Sequence, residues 1–167
     1  MSAGTQISVE EYLRTSWPDG DREYVDGEIV ERNVGEIEHA DLQGRLYLYL
    51  MTHYRGIWAA PEVRVQVKAD RFRIPDVVVV VGGRPKGRII TVPPLLAIEV
   101  LSPADSAGDI QERIDDYLDF GVGYVWVVNP RTRRGYVYTR DGASPGTGVL
   151  RIADPLIEVP LAELFEK

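Results

Sequence analysis

The chain contains no cysteine. That one absence excludes a disulfide framework, thiolate zinc, iron–sulfur clusters and cysteine nucleophiles together. Histidine is nearly as scarce, with only His39 and His53. A three-histidine zinc site is therefore excluded, and any metal has to rest mainly on oxygen ligands. Lysine is confined to Lys68, Lys86 and Lys167, so 16 of the 19 basic residues are arginine. Positive charge is itself the minority sign, because 26 Asp and Glu leave a net charge of −7. Such a balance argues against a dedicated nucleic-acid coat, whose affinity comes mostly from phosphate neutralisation. It leaves room for an enzyme with a local basic wall. Long apolar runs are missing as well: Val77–Val81 is far short of the ~20 residues that span a bilayer. The opening Met1-Ser2-Ala3-Gly4-Thr5 has no basic start followed by an apolar run, so no signal peptide is expected. A soluble, cytoplasmic protein with no membrane partner is the expectation.

What the chain does have is the composition of a folded protein. Its 167 residues are 44% hydrophobic and 27% charged, without repeats or low-complexity segments. This predicts a single domain over residues 1–167. Ser8-Val9-Glu10-Glu11 has capping-box spacing and opens a short helix through Tyr12 and Leu13. Arg22–Val25 and Glu28–Val30 flank Asp26-Gly27 as a hairpin. Leu42, Leu46, Tyr49, Leu50 and His53 recur at helical spacing and predict a helix over 41–54. Strands are predicted over 58–68, 72–81, 95–101, 124–128 and 136–139, with a possible short one at Ile89-Ile90. The valine run suits a strand covered on both faces. Ser106–Phe120 reads as a helix stopped by Gly121, with Ile110, Ile114, Tyr117 and Leu118 inward. Residues 141–148 read as a loop, and Pro160–Phe165 as a closing helix. The fold class is α/β: a mixed sheet of about seven strands flanked by helices.

Two acids stand where acids are costly. Asp76 lies where Arg73-Ile74-Pro75 leads into the valine run, and Glu99 lies inside Ala97-Ile98-Glu99-Val100-Leu101. An ionised carboxylate among such neighbours needs a cation, a metal or hydrogen bonds. Either acid alone could simply pair with one of the many arginines. On neighbouring strands the two together would suit a hard cation of the Mg²⁺ type, which takes one or two carboxylates and keeps several waters. No phosphate-binding glycine loop is present, since Gly82-Gly83 lacks a following lysine and serine.

Pro75-Asp76, followed by Ile98-Glu99-Val100-Leu101-Ser102-Pro103, resembles the PD-(D/E)xK nuclease superfamily, and most closely its Uma-type, restriction-endonuclease-like branch. The resemblance runs over nearly the whole chain. It takes in Val9-Glu10-Glu11-Tyr12-Leu13, Glu23-Tyr24-Val25-Asp26-Gly27-Glu28, His39, Asp109 with a basic residue four later, Tyr117, Gly121-Val122 and Tyr124–Val128. It implies a restriction-endonuclease-like fold and a metal-dependent phosphodiesterase. Asp76 and Glu99 would hold Mg²⁺ (or Mn²⁺), with the main-chain carbonyl of Val100 completing the ligands. The implied partner is nucleic acid, DNA ahead of RNA, and a homo-oligomer, a dimer, is expected.

The resemblance also exposes a departure. The lysine of the motif falls two residues after the second acid, where this chain has Leu101; the Uma-type alternative four after Asp109 is Arg113. Arginine stays protonated where lysine can be tuned for proton transfer. Arg113 could clamp a phosphate or merely pair with Asp109 one turn away. Lys68 is the other lysine that could substitute. An acid at Glu23 and a histidine at His39 would lie near the site, although Glu23 could equally be a hairpin-edge carboxylate and His39 a solvent-facing helix residue. Arg131, Arg133 and Arg134 form a basic cluster at a turn, which could touch a phosphate backbone or simply be solvated. The alternative to a nuclease is a catalytically inactive protein that keeps the fold for binding or assembly.

Overall fold

Proline at position 75 interrupts what the sequence presents as one strand over 72–81. It has no N–H to give a ladder, and it biases Ile74 away from helical geometry. In the computed structural model of the chain, which describes residues 6–33 and 35–165, the backbone therefore changes sheets there without turning back. The opening segment Met1–Thr5 lies outside the described residues.

The elements run α1 (Val9–Arg14), β1 (Arg22–Val25), β2 (Glu28–Glu31), α2 (Ile37–His53), β3 (Ile57–Pro61), β4 (Val65–Lys68), β5 (Arg71–Arg73), β6 (Val77–Val81), β7 (Leu96–Val100), α3 (Ala107–Phe120), β8 (Tyr124–Asn129), β9 (Arg134–Thr139), β10 (Gly142–Gly146), β11 (Val149–Ile152), β12 (Ile157–Pro160) and α4 (Leu161–Phe165). The strands form a six-stranded sheet ordered β10-β9-β8-β7-β6-β3, a four-stranded sheet ordered β2-β1-β5-β4, and the ribbon β11-β12. In the large sheet only β7 and β8 pair parallel, joined through α3. The result is a mixed α/β architecture, as expected, with more strands than the seven the sequence suggests.

Besides the break at Pro75 and the ribbon β11-β12, which is absent from the sequence reading, three segments differ from that reading, each for a local reason. The strand expected over 58–68 is β3 plus β4, parted where Glu62 takes a left-handed φ of 54°. The segment 141–148, expected as a loop, contains β10, which pairs with β9 from Gly142↔Thr139 to Gly146↔Gly135. Its composition hides it, because glycine and proline carry neither alternation nor β-propensity. Helix α2 begins at Ile37 rather than Asp41, and Ile37 is 88% exposed, so the first turn adds nothing to the apolar stripe.

Side-chain alternation divides the core. Leu96, Ile98 and Val100 face α2 with Val77, Val79, Trp126 and Val128. Ala97 faces α3 with Val78, Val125, Val127 and the helix residues Ile110, Ile114 and Tyr117. A third cluster of Tyr12, Tyr24 and Phe72 seals the small sheet. Helix α3 starts on Ser106, whose hydroxyl accepts the Asp109 N–H, and stops at Gly121 with a φ of 109° that glycine tolerates. Among the described residues no helix is long and apolar enough to cross a membrane.

Candidate active site

The register of β6 on β7 brings Asp76 and Glu99 together. Val77 pairs with Ile98, Val78 with Ala97 and Val79 with Leu96. One step beyond the Val77–Ile98 pair, Asp76 falls opposite Glu99, and directly opposed residues share a face. The Val100 N–H confirms the approach by donating to Asp76 Oδ2 at 2.7 Å. Both carboxylates line one cavity of about 160 Å³, together with His39, Arg32, Val100 and Arg113.

Each acid is buried and each is met by donors. Asp76 Oδ1 accepts from Arg32 Nη2 at 2.9 Å, and His39 Nε2 stands 3.3 Å from Oδ2. That bond to Asp76 holds the His39 imidazole above its usual pKa, against the opposite pull of burial. Glu99 is as deeply buried as Asp76, each at 2% exposure. Its Oε1 accepts from the Tyr117 hydroxyl at 2.7 Å, and Arg113 Nη1 is 3.7 Å from Oε2. Burial first, and the nearby Asp76 charge second, push Glu99 up to about 8. Burial and the same Glu99 also push the Tyr117 phenol well above its ordinary value.

Glu23 is a fully buried member of the group rather than a carboxylate at the open edge of its hairpin. Its Oε1 accepts the Ile74 N–H at 2.9 Å, and its Oε2 accepts from Arg73 Nη1 at 3.0 Å and lies 3.5 Å from Arg113 Nε. Arg113 therefore points to Glu23 and Glu99, while Asp109 is taken up with Ser106 at the start of α3. His39 likewise turns inward from the first turn of α2. Lys68 reaches neither metal-ligand candidate; its ammonium is 3.7 Å from Asp116 Oδ1. Of Val100, the group seen in contact is the N–H. A residue's N–H and C=O leave an extended strand on the same side, so its carbonyl belongs to the Asp76 side of β7.

Behind this layer runs a second one. Arg73 Nε donates to Asp116 Oδ2 at 2.7 Å while its Nη1 holds Glu23, and Arg71 Nη1 donates to the other Asp116 oxygen at 2.8 Å. The small sheet is thereby tied to α3 at Asp116, next to the Tyr117 that holds Glu99. Sequence reasoning missed Arg32, Asp116 and Glu62, whose carboxylate is 3.3 Å from Arg32. Arg32 sits in a polar run after a hairpin and carries no signal of its own. Tyr117 was legible as core, but its hydroxyl partner was not.

Residues 9–164 match the sequence model of the Uma2 family, described as "Putative restriction endonuclease". The chain belongs to the Uma2 family. A solved structure from Anabaena variabilis ATCC 29413, a "putative nuclease belonging to DUF820", superposes with a TM-score of 0.79 at 20% identity, over 95% of this chain and 97% of that one. At that identity the likeness establishes a shared fold. No curated protein matches the chain. Membership in Uma2 supports a nuclease-like function on the restriction-endonuclease-like fold.

The donor chemistry bears on a metal. Among the described residues no three His, Cys, Asp or Glu side chains converge as a metal centre. A site of the Mg²⁺ type needs fewer, since water supplies much of the shell. Asp76 and Glu99 offer hard oxygens in one cavity, where burial first and the Asp76 charge second raise Glu99 to about 8, and two facing carboxylates there are short of positive charge. A dication fits that shortage. Arg32 on Asp76 and Arg113 near Glu99 are the cations that now fill part of it.

Proposed function

We propose that this Uma2 chain is a divalent-metal-dependent endonuclease, built on one restriction-endonuclease-like domain and acting on nucleic acid, DNA ahead of RNA. Asp76 and Glu99 would hold Mg²⁺ or Mn²⁺ with the Val100 carbonyl. The bound metal would polarise a phosphoryl oxygen and lower the pKa of a bound water. The observation that carries the reading is the apposition of two buried carboxylates, one of them pushed to about 8 by burial and by the other.

The surrounding residues have separable tasks. Arg113 is held by Glu23 and Glu99 on the floor of the cavity, where its guanidinium can pair with a phosphate oxygen but cannot give up a proton. Tyr117 fixes one Glu99 oxygen and leaves the other towards Arg113. His39, favoured in its protonated form by Asp76, is positioned to hold a proton at Nε2. Glu23 orients Arg113 and braces the Pro75 crossing through the Ile74 N–H.

Two observations favour a second reading, a binding protein without catalysis. Leu101 stands at the motif's lysine position, and Arg32 already neutralises Asp76 at 2.9 Å. Incubating the purified chain and its Glu99→Gln variant with linear and circular DNA in Mg²⁺ or Mn²⁺ tests the choice. Metal-dependent cleavage lost in Glu99→Gln supports the nuclease. Intact DNA in every lane, together with no metal-dependent thermal shift, leaves the binding protein.

A further inference from the structure

Helix α3 does not cover the whole of its face of the large sheet. Past Ile110 and Ile114 a cavity of about 520 Å³ opens over β8 and β9. Its size lies in the ~300–1,000 Å³ range of small-ligand sites. Val127, Tyr136 and Tyr138 form its floor, and the 101–106 segment after β7 closes one end. It adjoins the carboxylate cavity: His39, Ser102 and Asp105 line both. Tyr136 is 40% exposed although it lies inside a paired strand, between Val127 and Pro145. An aromatic ring left bare on a sheet floor beside a candidate phosphodiesterase centre calls for an occupant.

We propose that this cavity takes one unpaired nucleobase of the bound strand, stacked on Tyr136, while the strand's phosphate lies at Asp76 and Glu99. The inference rests on the nuclease reading for what brings the strand there. The chemistry of the walls selects a base over a phosphate. Glu36, Glu38 and Asp105 stand on the side towards His39 and repel an anion, whereas a neutral ring meets the tyrosines and the apolar wall of α3. At the opposite end Asn129 is fixed: its Oδ1 accepts the N–H groups of Arg131 and Thr132 at 2.9 and 3.2 Å. Asn129 lines the cavity, and with Oδ1 engaged the group it has left to offer the base is its amide NH₂, a donor for a ring nitrogen or carbonyl. Arg131 marks the rim where the next phosphate would pass. A chain of net charge −7 gains little from phosphate neutralisation alone. Stacking supplies an attraction to unpaired bases that is independent of net charge and tolerant of sequence.

The test is binding of 5′-labelled oligothymidylate, twelve nucleotides long, by fluorescence anisotropy in Ca²⁺, a hard cation able to bridge the phosphate to the two acids, with a duplex of equal length alongside. Tyr136→Ala is expected to weaken oligothymidylate binding by about five- to a hundredfold, as loss of one base stack does. Tyr136→Phe should bind like wild type, because the ring and not the hydroxyl is used. Ala107→Trp, on the exposed first turn of α3 at the cavity wall, should block binding with Tyr136 intact. Wild-type affinity in both Tyr136→Ala and Ala107→Trp overturns the proposal. So does a duplex bound as tightly and with the same dependence on Tyr136, or no binding of oligothymidylate at all. Mn²⁺-dependent cleavage of a long single strand, assayed on the same proteins, keeps the two readings apart. Cleavage with unchanged Tyr136→Ala affinity removes the base site alone; Tyr136-dependent binding without cleavage removes the nuclease alone.

Discussion

The Asp76 carboxylate accepts the main-chain N–H of Val100 at 2.7 Å, and this bond fixes it against the neighbour of Glu99. A side chain thus continues, by one rung, the β6–β7 ladder that ends at Val77 and Ile98. The same bond stops Asp76 from swinging towards solvent, so the two acids are held side by side although their charges repel.

Glu99→Gln is expected to abolish metal-dependent cleavage while the fold survives. The amide keeps the shape and can still accept from the Tyr117 hydroxyl, but it lacks the charge that would hold a cation. Cleavage assays paired with circular dichroism read both halves. A Glu99→Gln protein that cuts at the wild-type rate removes Glu99 from the ligand set.

The pH dependence of stability has a definite sign. Glu99 ordinarily titrates near 4.5 and is pushed to about 8 by burial and then by Asp76, with Glu23 adding to the rise and Arg113 and Tyr117 opposing it. A raised carboxyl pKa means that the folded state binds the extra proton, so this contribution is complete below about 4.5 and is lost as pH climbs through about 8. His39, also raised, acts in the same direction at and above its ordinary 6.5. Thermal melts of the metal-free protein should therefore fall between pH 5 and 8.5, and Glu99→Gln should flatten the slope. Millimolar Mg²⁺ should raise the melting temperature more at pH 8 than at pH 6, because the ionised pair is the form it binds. Equal shifts at the two pH values would contradict a site on this pair.

Arg73 carries the layer beneath. Its guanidinium joins Glu23 to Asp116 at 3.0 and 2.7 Å, and all three side chains are buried. Removing one partner of a buried ionic group strands the others, at about 3–5 kcal/mol. Arg73→Ala should lose stability on that scale in urea titrations. Arg73→Met fills the volume yet leaves Glu23 with only the Ile74 N–H and Arg113, and Asp116 with only Arg71 and Lys68, so it should recover little. Full recovery by methionine would mean that packing, not charge, is what Arg73 supplies.

The contrast between the two layers also shows how far the residues alone could be read. Glu99 was legible because an acid between Ile98 and Val100 breaks an otherwise apolar strand, and α3 because Ile110, Ile114 and Tyr117 keep a helical stripe down to a glycine stop. Arg32 and Asp116 were not. Their partners lie 44 positions away at Asp76 and 43 away at Arg73, and nothing local distinguishes them from solvated charges. Strand β10 was hidden for the complementary reason: main-chain pairing to β9 holds Gly142–Gly146, and no side-chain pattern is needed for it.

Arg113→Lys should raise cleavage in Mg²⁺ or Mn²⁺ above the wild-type rate. The shorter, compact ammonium would stand near Glu99 and Glu23, where its pKa can be tuned for proton transfer in a way that arginine's cannot. An unchanged rate in Arg113→Lys would mean that position 113 serves charge balance alone.

Arg32 gives the sharpest separation between charge balance and metal binding. It is the closest cation to Asp76, at 2.9 Å, and Glu62 steadies it from the other side at 3.3 Å. A dication on Asp76 has to share or displace that guanidinium, so Arg32 and the metal compete for one carboxylate. Arg32→Ala should lower the melting temperature of the metal-free protein, since Asp76 loses a buried partner that His39 and the Val100 N–H only partly replace. The same variant should show a larger Mn²⁺-induced thermal shift than wild type, because the competitor is gone. Arg32→Lys, a point charge without the fork, should lie between the two. A metal-induced shift that is absent from both wild type and Arg32→Ala would leave the arginines and His39 as the cations that balance these carboxylates, and the chain as a binding protein on a nuclease fold.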